Sequence, residues 1–261
     1  MGYSTNHIDR NGIDLYYEAT RPESSSRPPI LLNHGFAGTS RVWQPQVDAF
    51  STRNEFIRWD MRGHGRSASP TDEAAYSVDE TVEDMAALLD HRGHDRAIIG
   101  GHSLGGYMAL AFHLKYPDRV SALFVVATGP GYKSDAPRDE WNVMARSLGR
   151  RLEENGLEEL RKLDRDMDPS DHDCVEGLGR AARGMLVQQD RQIIDSLPGI
   201  SVPTLVVVGE KDRGYLAASQ YMVEKIPNSR LVTIPNAGHA VNLHQTEQFN
   251  LAATEYFDEI A

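Results

Sequence analysis

Residues 101–105 of the chain read GHSLG and fit the pattern G-x-S-x-G, with a serine at position 103. In this pattern the serine occupies a sharp turn between a strand and a helix, which exposes its hydroxyl above the sheet. Residues two before and two after the serine come close together there, and glycine at both positions removes the Cβ atoms that would collide. The apolar residues 97–99 predict the strand, and the apolar residues after the turn predict the helix. We therefore predict that Ser103 is a nucleophile.

A serine hydroxyl attacks efficiently only when a positioned base accepts its proton. In an open parallel sheet, reactive groups gather beyond the carboxyl ends of the strands, a criterion that favours His34, His102 and His239 among the histidines. His239 follows the last predicted strand in a turn-rich loop, from which an imidazole can project back over the sheet. We predict His239 as the general base, with His244 as the alternative.

The imidazole of such a base needs a carboxylate that fixes its tautomer and stabilises the imidazolium. Asp212 follows the apolar strand predicted at residues 204–209, again at a carboxyl end. Glu210 is the near alternative and Asp60 a more distant one. Aspartate is also favoured at helix N-caps, so Asp212 has a structural interpretation as well. We predict Asp212 as the acid of a Ser-His-Asp triad.

Two backbone amides are expected to hold the oxyanion that forms when the serine attacks a carbonyl. One is the N–H of Leu104, which follows the nucleophile and starts the helix. The second donor belongs in the loop after an earlier strand, predicted at residues 30–33, and we assign it to Phe36. A simple turn is the alternative interpretation of that loop.

The elements that position these residues alternate between strands and helices along the chain. Asn11 and Gly12 separate two alternating runs and predict a β-hairpin. The almost continuously apolar residues 120–127 are typical of a strand covered on both faces. Strands that alternate with helices predict a mostly parallel sheet with right-handed crossovers.

Residues 131–198 are dense in charged residues and carry a helical apolar pattern without a strand-like run. We predict a helical lid here, inserted into an α/β core that comprises residues 1–130 and 199–261, the whole forming a single domain. Ordinary packing of lid on sheet is the alternative to a substrate pocket beneath it. The predicted pocket residues are Trp141, Met144, Met167, Met185 and Leu186.

Composition limits the partners of the protein. The 261 residues include 27 Lys and Arg against 38 Asp and Glu, a formal net charge of −11, which argues against nucleic acid or an anionic membrane as a partner. No signal-peptide pattern and no apolar run of membrane-spanning length is found, and Cys174 is the only cysteine. We expect a cytoplasmic protein with a small-molecule substrate.

No cofactor or metal is predicted. Phosphate-binding and dinucleotide-binding glycine motifs are missing from the sequence. The carboxylate-rich residues 164–173 place Pro169 where a calcium-binding EF-hand loop needs glycine, and Val175 where it needs glutamate. His172 and Cys174 have no second Cys/His pair nearby, so structural zinc is not expected. A solvated face of the lid explains this stretch.

Taken together, these motifs resemble the α/β-hydrolase fold family over nearly the whole chain, in the order serine, acid, histidine. The resemblance implies an eight-stranded, mostly parallel sheet whose second strand is antiparallel, with a lid inserted after the sixth strand. The matching landmarks are residues 34–36 (HGF), 60–67 (DMRGHGRS), 101–105 (GHSLG), 209–212 (GEKD) and 238–239 (GH).

Within this family the chain is similar to the small single-lid esterases, enol-lactonases and C–C bond hydrolases. Serine rather than aspartate at position 103 argues against haloalkane dehalogenase or epoxide hydrolase activity. The resemblance implies hydrolysis of a carboxylic ester or lactone through an acyl-enzyme. The alternatives are cleavage of a C–C bond in a vinylogous diketone, acyl transfer to an acceptor other than water, and a slow-turnover ligand sensor.

Overall fold

A computed structural model of the chain describes residues 2–23, 25–163 and 168–260. Within them, eight strands form one sheet. The strands in chain order are β1 (Gly2–Arg10), β2 (Ile13–Arg21), β3 (Ile30–Asn33), β4 (Phe56–Trp59), β5 (Ala97–His102), β6 (Val120–Val126), β7 (Thr204–Gly209) and β8 (Ser229–Ile234). Their order across the sheet is β1-β2-β4-β3-β5-β6-β7-β8.

The hairpin predicted around Asn11 and Gly12 joins β1 to β2. Both turn residues have positive φ angles, 56° and 82°, as a two-residue hairpin turn requires. β2 pairs antiparallel with β1 and with β4, whereas every later neighbouring pair from β4 to β8 is parallel. The predicted mostly parallel sheet with an antiparallel second strand is therefore confirmed.

Helices cover both faces of the sheet. The α-helices within the described residues are α1 (Val47–Phe50), α2 (Val78–Arg92), α3 (Leu104–Lys115), α4 (Asp135–Asn155), α5 (Leu160–Leu163), α6 (Val175–Gly184), α7 (Gln192–Ser196), α8 (Leu216–Lys225), α9 (Val241–His244) and α10 (Thr246–Glu259). Side chains of α2, α3 and α8 pack on one face, and side chains of α1 and α10 pack on the other.

The strands are buried on both faces, so that successive side chains enter different cores. On β3, Leu31 joins the core under α2 and α3, while its neighbours Ile30 and Leu32 join the core under α1 and α10. β5 shows the same alternation at Ile98 and Ile99. Because side chains on both faces of a strand are buried, the strands appear in the sequence as continuous apolar runs instead of an alternation of apolar and polar residues.

Between β6 and β7, the described part of residues 131–198, called here the helical segment, forms α4 to α7 without a strand. Leu148 of α4 and Leu178 of α6 pack with Ala37, in the loop after β3. Trp141 Nε1 donates a hydrogen bond to the carbonyl of Leu186 at 2.7 Å within the segment. The division of the chain into a core and a helical lid stays a prediction.

No helix of the described residues combines the length and apolarity needed to cross a bilayer. Met167, one of the predicted pocket residues, lies outside the described residues.

Candidate active site

Ser103 lies at the turn between β5 and α3 with a φ angle of 52° and a ψ angle of −117°. A positive φ is unusual for a residue with a side chain and marks local backbone strain. A Cβ on Gly101 would lie 2.5 Å from the backbone of Gly105, and a Cβ on Gly105 would lie 2.4 Å from the carbonyl oxygen of Asn33. Glycine at both positions is thus required by close backbone approach.

Neighbouring groups hold the backbone of Ser103 in this conformation. Its N–H donates to the carbonyl of Val126, at the end of β6, at 2.9 Å. The hydroxyl of Thr128 donates to the carbonyl of Ser103 at 2.7 Å. These bonds attach both sides of the turn to the next strand and its following loop.

The carboxylate of Asp212 accepts a hydrogen bond from Nδ1 of His239 at 2.9 Å. The side chain of Asp212 is only 7% exposed, and that of His239 is 34% exposed. Since Nδ1 bonds the carboxylate, Nε2 of the same ring remains available, and His239 and Ser103 line the same cavity. This is the arrangement in which an imidazole can act as a general base toward a hydroxyl.

The alternative acid and base residues have other partners. Glu210 accepts from the backbone N–H of Asn236 at 3.0 Å. Nδ1 of His244 accepts from the N–H of Gly238 at 3.2 Å. Asp60 lies buried in the loop after β4 and accepts from the N–H groups of Ser40 and Arg66 at 2.6 and 2.9 Å.

Two further rings fix the imidazole of His239. His102 lies against it at a centroid distance of 4.6 Å, and Tyr215 stacks on it at 5.0 Å with an interplanar angle of 22°. Burial lowers the pKa of His102 to about 3, so this ring is neutral at pH 7. Its Nε2 lies 3.0 Å from the carbonyl of His239 and donates to it. His102, favoured by sequence position as a possible base, therefore supports the loop of His239.

Sequence analysis did not identify Tyr215. The available signal was its position three residues after Asp212, in the loop before α8. Burial raises the pKa of its phenol. Tyr215 thus stacks on the predicted base and lines the same cavity as the predicted nucleophile.

The two predicted oxyanion donors approach the serine from different elements. Leu104 is the first residue of α3, where an N–H has no acceptor within the helix. Phe36 follows Gly35, whose Cα lies so near Ser103 that an added Cβ would be 3.3 Å from the serine Cβ. Neither amide has a protein acceptor among the described residues. Phe36 and Ser103 line one cavity, and Leu104 and Ser103 line another.

These two cavities meet at Ser103, Trp141 and Leu186. The first, called here the aromatic cavity, has a volume of about 420 Å³. Its aromatic lining consists of Tyr107, Tyr132, Trp141 and Tyr215. The second, called here the loop cavity, has a volume of about 480 Å³ and is bordered by the loops after β3 and β8. It includes Phe36, Met144, His239 and Leu243.

Charged side chains are scarce at these cavities. In the described part of the chain, no charged residue lines the aromatic cavity, and Arg41 is the only cation that lines the loop cavity. Arg41 forms an ion pair with Asp171, on the same wall. The carboxylate of Asp168 also borders the loop cavity.

Of the predicted pocket residues, Trp141 lies on the wall of both cavities and Met144 on the wall of the loop cavity. Met185 lines neither: its side chain is 0% exposed and packs in the core beneath α2 and α3. The prediction that Met185 lines the pocket is therefore wrong. Leu186, the next residue and also one of the predicted pocket residues, lines both cavities. No group of three metal-binding side chains occurs among the described residues.

Comparisons with known proteins agree with this fold. Residues 28–168 match a family model described as alpha/beta hydrolase fold. The chain is 28% identical to the putative 2-succinyl-6-hydroxy-2,4-cyclohexadiene-1-carboxylate synthase of Bacillus subtilis (strain 168), over 94% of this chain and 95% of that protein. It is 26% identical to a putative carbamate hydrolase of Caulobacter sp. (strain K31), over 93% and 95% of the two chains.

Among solved structures, a thermophilic esterase from Thermogutta terrifontis, with malate bound, superposes on the chain with a TM-score of 0.82. The two sequences are 28% identical, and the match covers 98% of this chain and 99% of the esterase. The family model and the hydrolases among these relatives support hydrolytic activity.

Proposed function

Because the chain belongs to the α/β-hydrolase fold family, we propose that it is a serine hydrolase that cleaves a neutral carboxylic ester or lactone through an acyl-enzyme. The observation that carries this proposal is the 2.9 Å hydrogen bond between His239 and Asp212 in a loop facing the strained turn of Ser103. A serine, an imidazole and a buried carboxylate in this arrangement perform acyl transfer on unrelated folds.

In the acylation half of the reaction, Ser103 Oγ attacks the substrate carbonyl and its proton passes to Nε2 of His239. The amides of Phe36 and Leu104 hold the resulting oxyanion, and Asp212 stabilises the imidazolium. When the tetrahedral intermediate collapses, the C–O bond to the alcohol breaks and the alkoxide takes the proton from His239. The acyl group remains as an ester on Ser103.

In the deacylation half, water attacks the acyl carbon while His239 Nε2 accepts its proton. The same two amides hold the second oxyanion. The bond to Ser103 Oγ then breaks, and the serine regains its proton from His239. The two halves together return Ser103 and His239 to their starting protonation states and consume one water molecule for each ester bond cleaved.

The lining of the cavities supports a neutral substrate. The aromatic cavity offers four rings and no charge among the described residues, which suits an apolar or aromatic substituent. Among the described residues, Arg41 is the one cation at the loop cavity; it is paired with Asp171, and Asp168 adds negative charge nearby. The described lining therefore offers no free cation to a carboxylate-bearing diketone, the substrate expected for C–C bond hydrolysis.

The decisive experiment is a comparison of p-nitrophenyl esters, lactones and a vinylogous diketone acid with the wild-type protein and Ser103→Ala. We expect steady turnover of neutral esters above about 1 s⁻¹, as is ordinary for enzymes, and its loss in Ser103→Ala. The matched control is Ser201→Ala, because Ser201 is exposed and precedes β7 at the opposite end of the strand.

Full activity of Ser103→Ala would contradict the assignment of the nucleophile. Turnover far below one per second, combined with tight ligand binding, would favour a sensor. Faster cleavage of the diketone acid than of any ester would favour the C–C bond hydrolase. An added alcohol or amine that captures the acyl group more efficiently than water does would indicate an acyltransferase.

A further inference from the structure

His172 connects the helical segment to the loop that carries Phe36. Its ring is buried, with the residue 4% exposed, although it comes from the carboxylate-rich stretch that the sequence suggests is solvated. Nε2 of His172 lies 2.9 Å from the carbonyl oxygen of Ala37. Nδ1 accepts a hydrogen bond from the backbone N–H of Gly65 at 3.1 Å. One side chain thus ties the segment to the loops after β3 and β4.

The two partners fix the protonation of this ring. Gly65 supplies an N–H, so Nδ1 has to carry a lone pair, and Ala37 supplies a carbonyl, so Nε2 has to carry the proton. Only the neutral ring with its proton on Nε2 satisfies both partners. Burial lowers the pKa of His172 and favours the same neutral form.

The loop that His172 holds is a tight one. Ala37 has a φ angle of 55°, in the left-handed region that a residue with a Cβ adopts only at a cost. The N–H of Gly38 closes the turn by donating to the carbonyl of Gly35 at 3.0 Å. The amide of Phe36 lies inside this turn, so its direction depends on the conformation of the residues on either side.

Further packing joins the same groups. The ring of Phe36 meets the ring of His64 edge to face at a centroid distance of 5.6 Å, and His64 meets His172 at 6.0 Å. The apolar residues of α4 and α6 that pack with Ala37 bring the rest of the segment onto the same turn. The docking of the helical segment and the conformation of the Phe36 turn therefore depend on each other.

We propose that His172 is a positioning residue for the oxyanion site, which holds the turn of Ala37 so that the Phe36 amide points at the reacting carbonyl. This inference rests on the proposed function, because it presumes that the Phe36 amide is an oxyanion donor. It follows that the oxyanion site is complete only when the helical segment is docked on the loop after β3.

Two substitutions separate the two hydrogen bonds of the ring. In His172→Asn the amide oxygen takes the place of Nδ1 and keeps the bond to Gly65, but the donor to Ala37 is lost. In His172→Gln the amide nitrogen takes the place of Nε2 and keeps the donor to Ala37. We expect kcat to fall roughly 10- to 100-fold in H172N, below the 10²–10³ typical of losing a whole donor, with KM little changed. H172Q should stay within a few-fold of wild type.

The affinity for a phenylboronic acid tests the oxyanion site directly, because the boronate forms a tetrahedral adduct on the serine. Its affinity should fall in H172N in parallel with kcat, whereas KM for the ester should not change. A loss of stability alone would not produce this pattern in protein assayed well below its melting temperature.

The control is Glu73→Gln, which weakens the ion pair between Glu73 and Arg183 of α6. That pair also links the segment to the core but does not touch the loop of Ala37, so E73Q should keep kcat and boronate affinity. Unchanged kcat and boronate affinity in H172N would overturn the inference. So would an equal loss in E73Q, or a folded H172Q whose kcat falls more than tenfold.

The assay of Ser103→Ala distinguishes a failure of the inference about His172 from a failure of the proposed function. If S103A is inactive and H172N is unchanged, the inference about His172 fails and the proposed function stands. If S103A retains turnover, the proposed function fails, and the role of His172 in it fails too.

Discussion

The phenol ring of Tyr215 stacks on the imidazole of His239, with a centroid distance of 5.0 Å and an interplanar angle of 22°. His102 packs against the same imidazole at 4.6 Å. The imidazole is thereby held between two rings, while Asp212 fixes its Nδ1 edge. Rotation of His239 away from the serine requires at least one of these contacts to break.

Removal of the stacking ring should impair catalysis more than removal of its hydroxyl. In Tyr215→Ala the imidazole loses the ring that stacks on one of its faces. Small misplacements of a catalytic group cost up to about 10²-fold in rate. We therefore expect kcat/KM for a p-nitrophenyl ester to fall by roughly that factor. Tyr215→Phe keeps the ring and should retain most of the activity. Equal losses in the two variants would assign the effect to the hydroxyl instead of the ring.

Asp212→Asn should lower kcat by several orders of magnitude, up to about 10⁴ as in other triads. The amide can present its N–H₂ to Nδ1, which then favours the tautomer with the proton on Nε2, the wrong one for accepting a proton from Ser103. The matched control is Glu210→Gln, since Glu210 bonds the backbone of Asn236 and not the imidazole. A larger loss in E210Q than in D212N would show that the acid is misassigned.

The positions of the predicted triad residues in the sequence were enough to predict that they lie close together. The carboxyl ends of parallel strands meet at one edge of the sheet, so a serine after β5, an aspartate after β7 and a histidine after β8 are neighbours once the strand order is known. The glycines at positions 101 and 105 predict the turn itself, because its close backbone approach leaves no room for a Cβ at either position. These inferences depend only on the backbone and on the order of the strands.

Side-chain direction in loops and in the helical segment could not be obtained in the same way. Met185 and Leu186 are adjacent and both apolar, and which of them faces the cavity depends on how α6 ends and docks on the core. Tyr215 and His172 lie in polar stretches whose sequence resembles solvated loops. Their rings are placed by contacts with parts of the chain remote in sequence, which no local pattern records.

The buried histidines predict a loss of stability in mild acid. Burial lowers the pKa of His34 to about 4 and that of His102 to about 3, and it also lowers the pKa values of His64 and His172. A histidine in the unfolded chain titrates near pH 6.5, so below that pH the unfolded state binds more protons than the folded state. Stability is therefore full above about pH 6.5 and falls as the pH drops toward these lowered pKa values.

Each such histidine contributes up to about 1.4 kcal/mol of lost unfolding free energy per pH unit in this window. Chemical denaturation between pH 7 and pH 5 measures the slope of the unfolding free energy against pH. This window lies above the range in which most carboxylates titrate. His102→Gln should make this slope shallower, because it removes one of the buried imidazoles whose pKa is lowered. A stability that does not change between pH 7 and pH 5 would contradict the prediction.

The two cavities at Ser103 predict that the acyl and alcohol parts of the substrate can be tuned separately. Ala218 of α8 lines only the aromatic cavity, and Leu243 of α9 lines only the loop cavity. Ala218→Leu adds three carbon atoms to the first cavity, and Leu243→Ala removes three from the second. A methylene in an apolar pocket is worth about 1–3 kcal/mol of discrimination, so a change of this size is measurable in kcat/KM.

We expect Ala218→Leu to lower kcat/KM for esters that are bulky on one side of the carbonyl and to spare esters that are bulky on the other. Leu243→Ala should change the preference on that other side. The measurement is a matrix of esters in which acyl length and alcohol length vary independently, which also assigns each group to its cavity. A uniform loss for every ester in A218L would mean that the aromatic cavity does not receive substrate, because selective crowding of one substituent is what a cavity beside Ser103 requires.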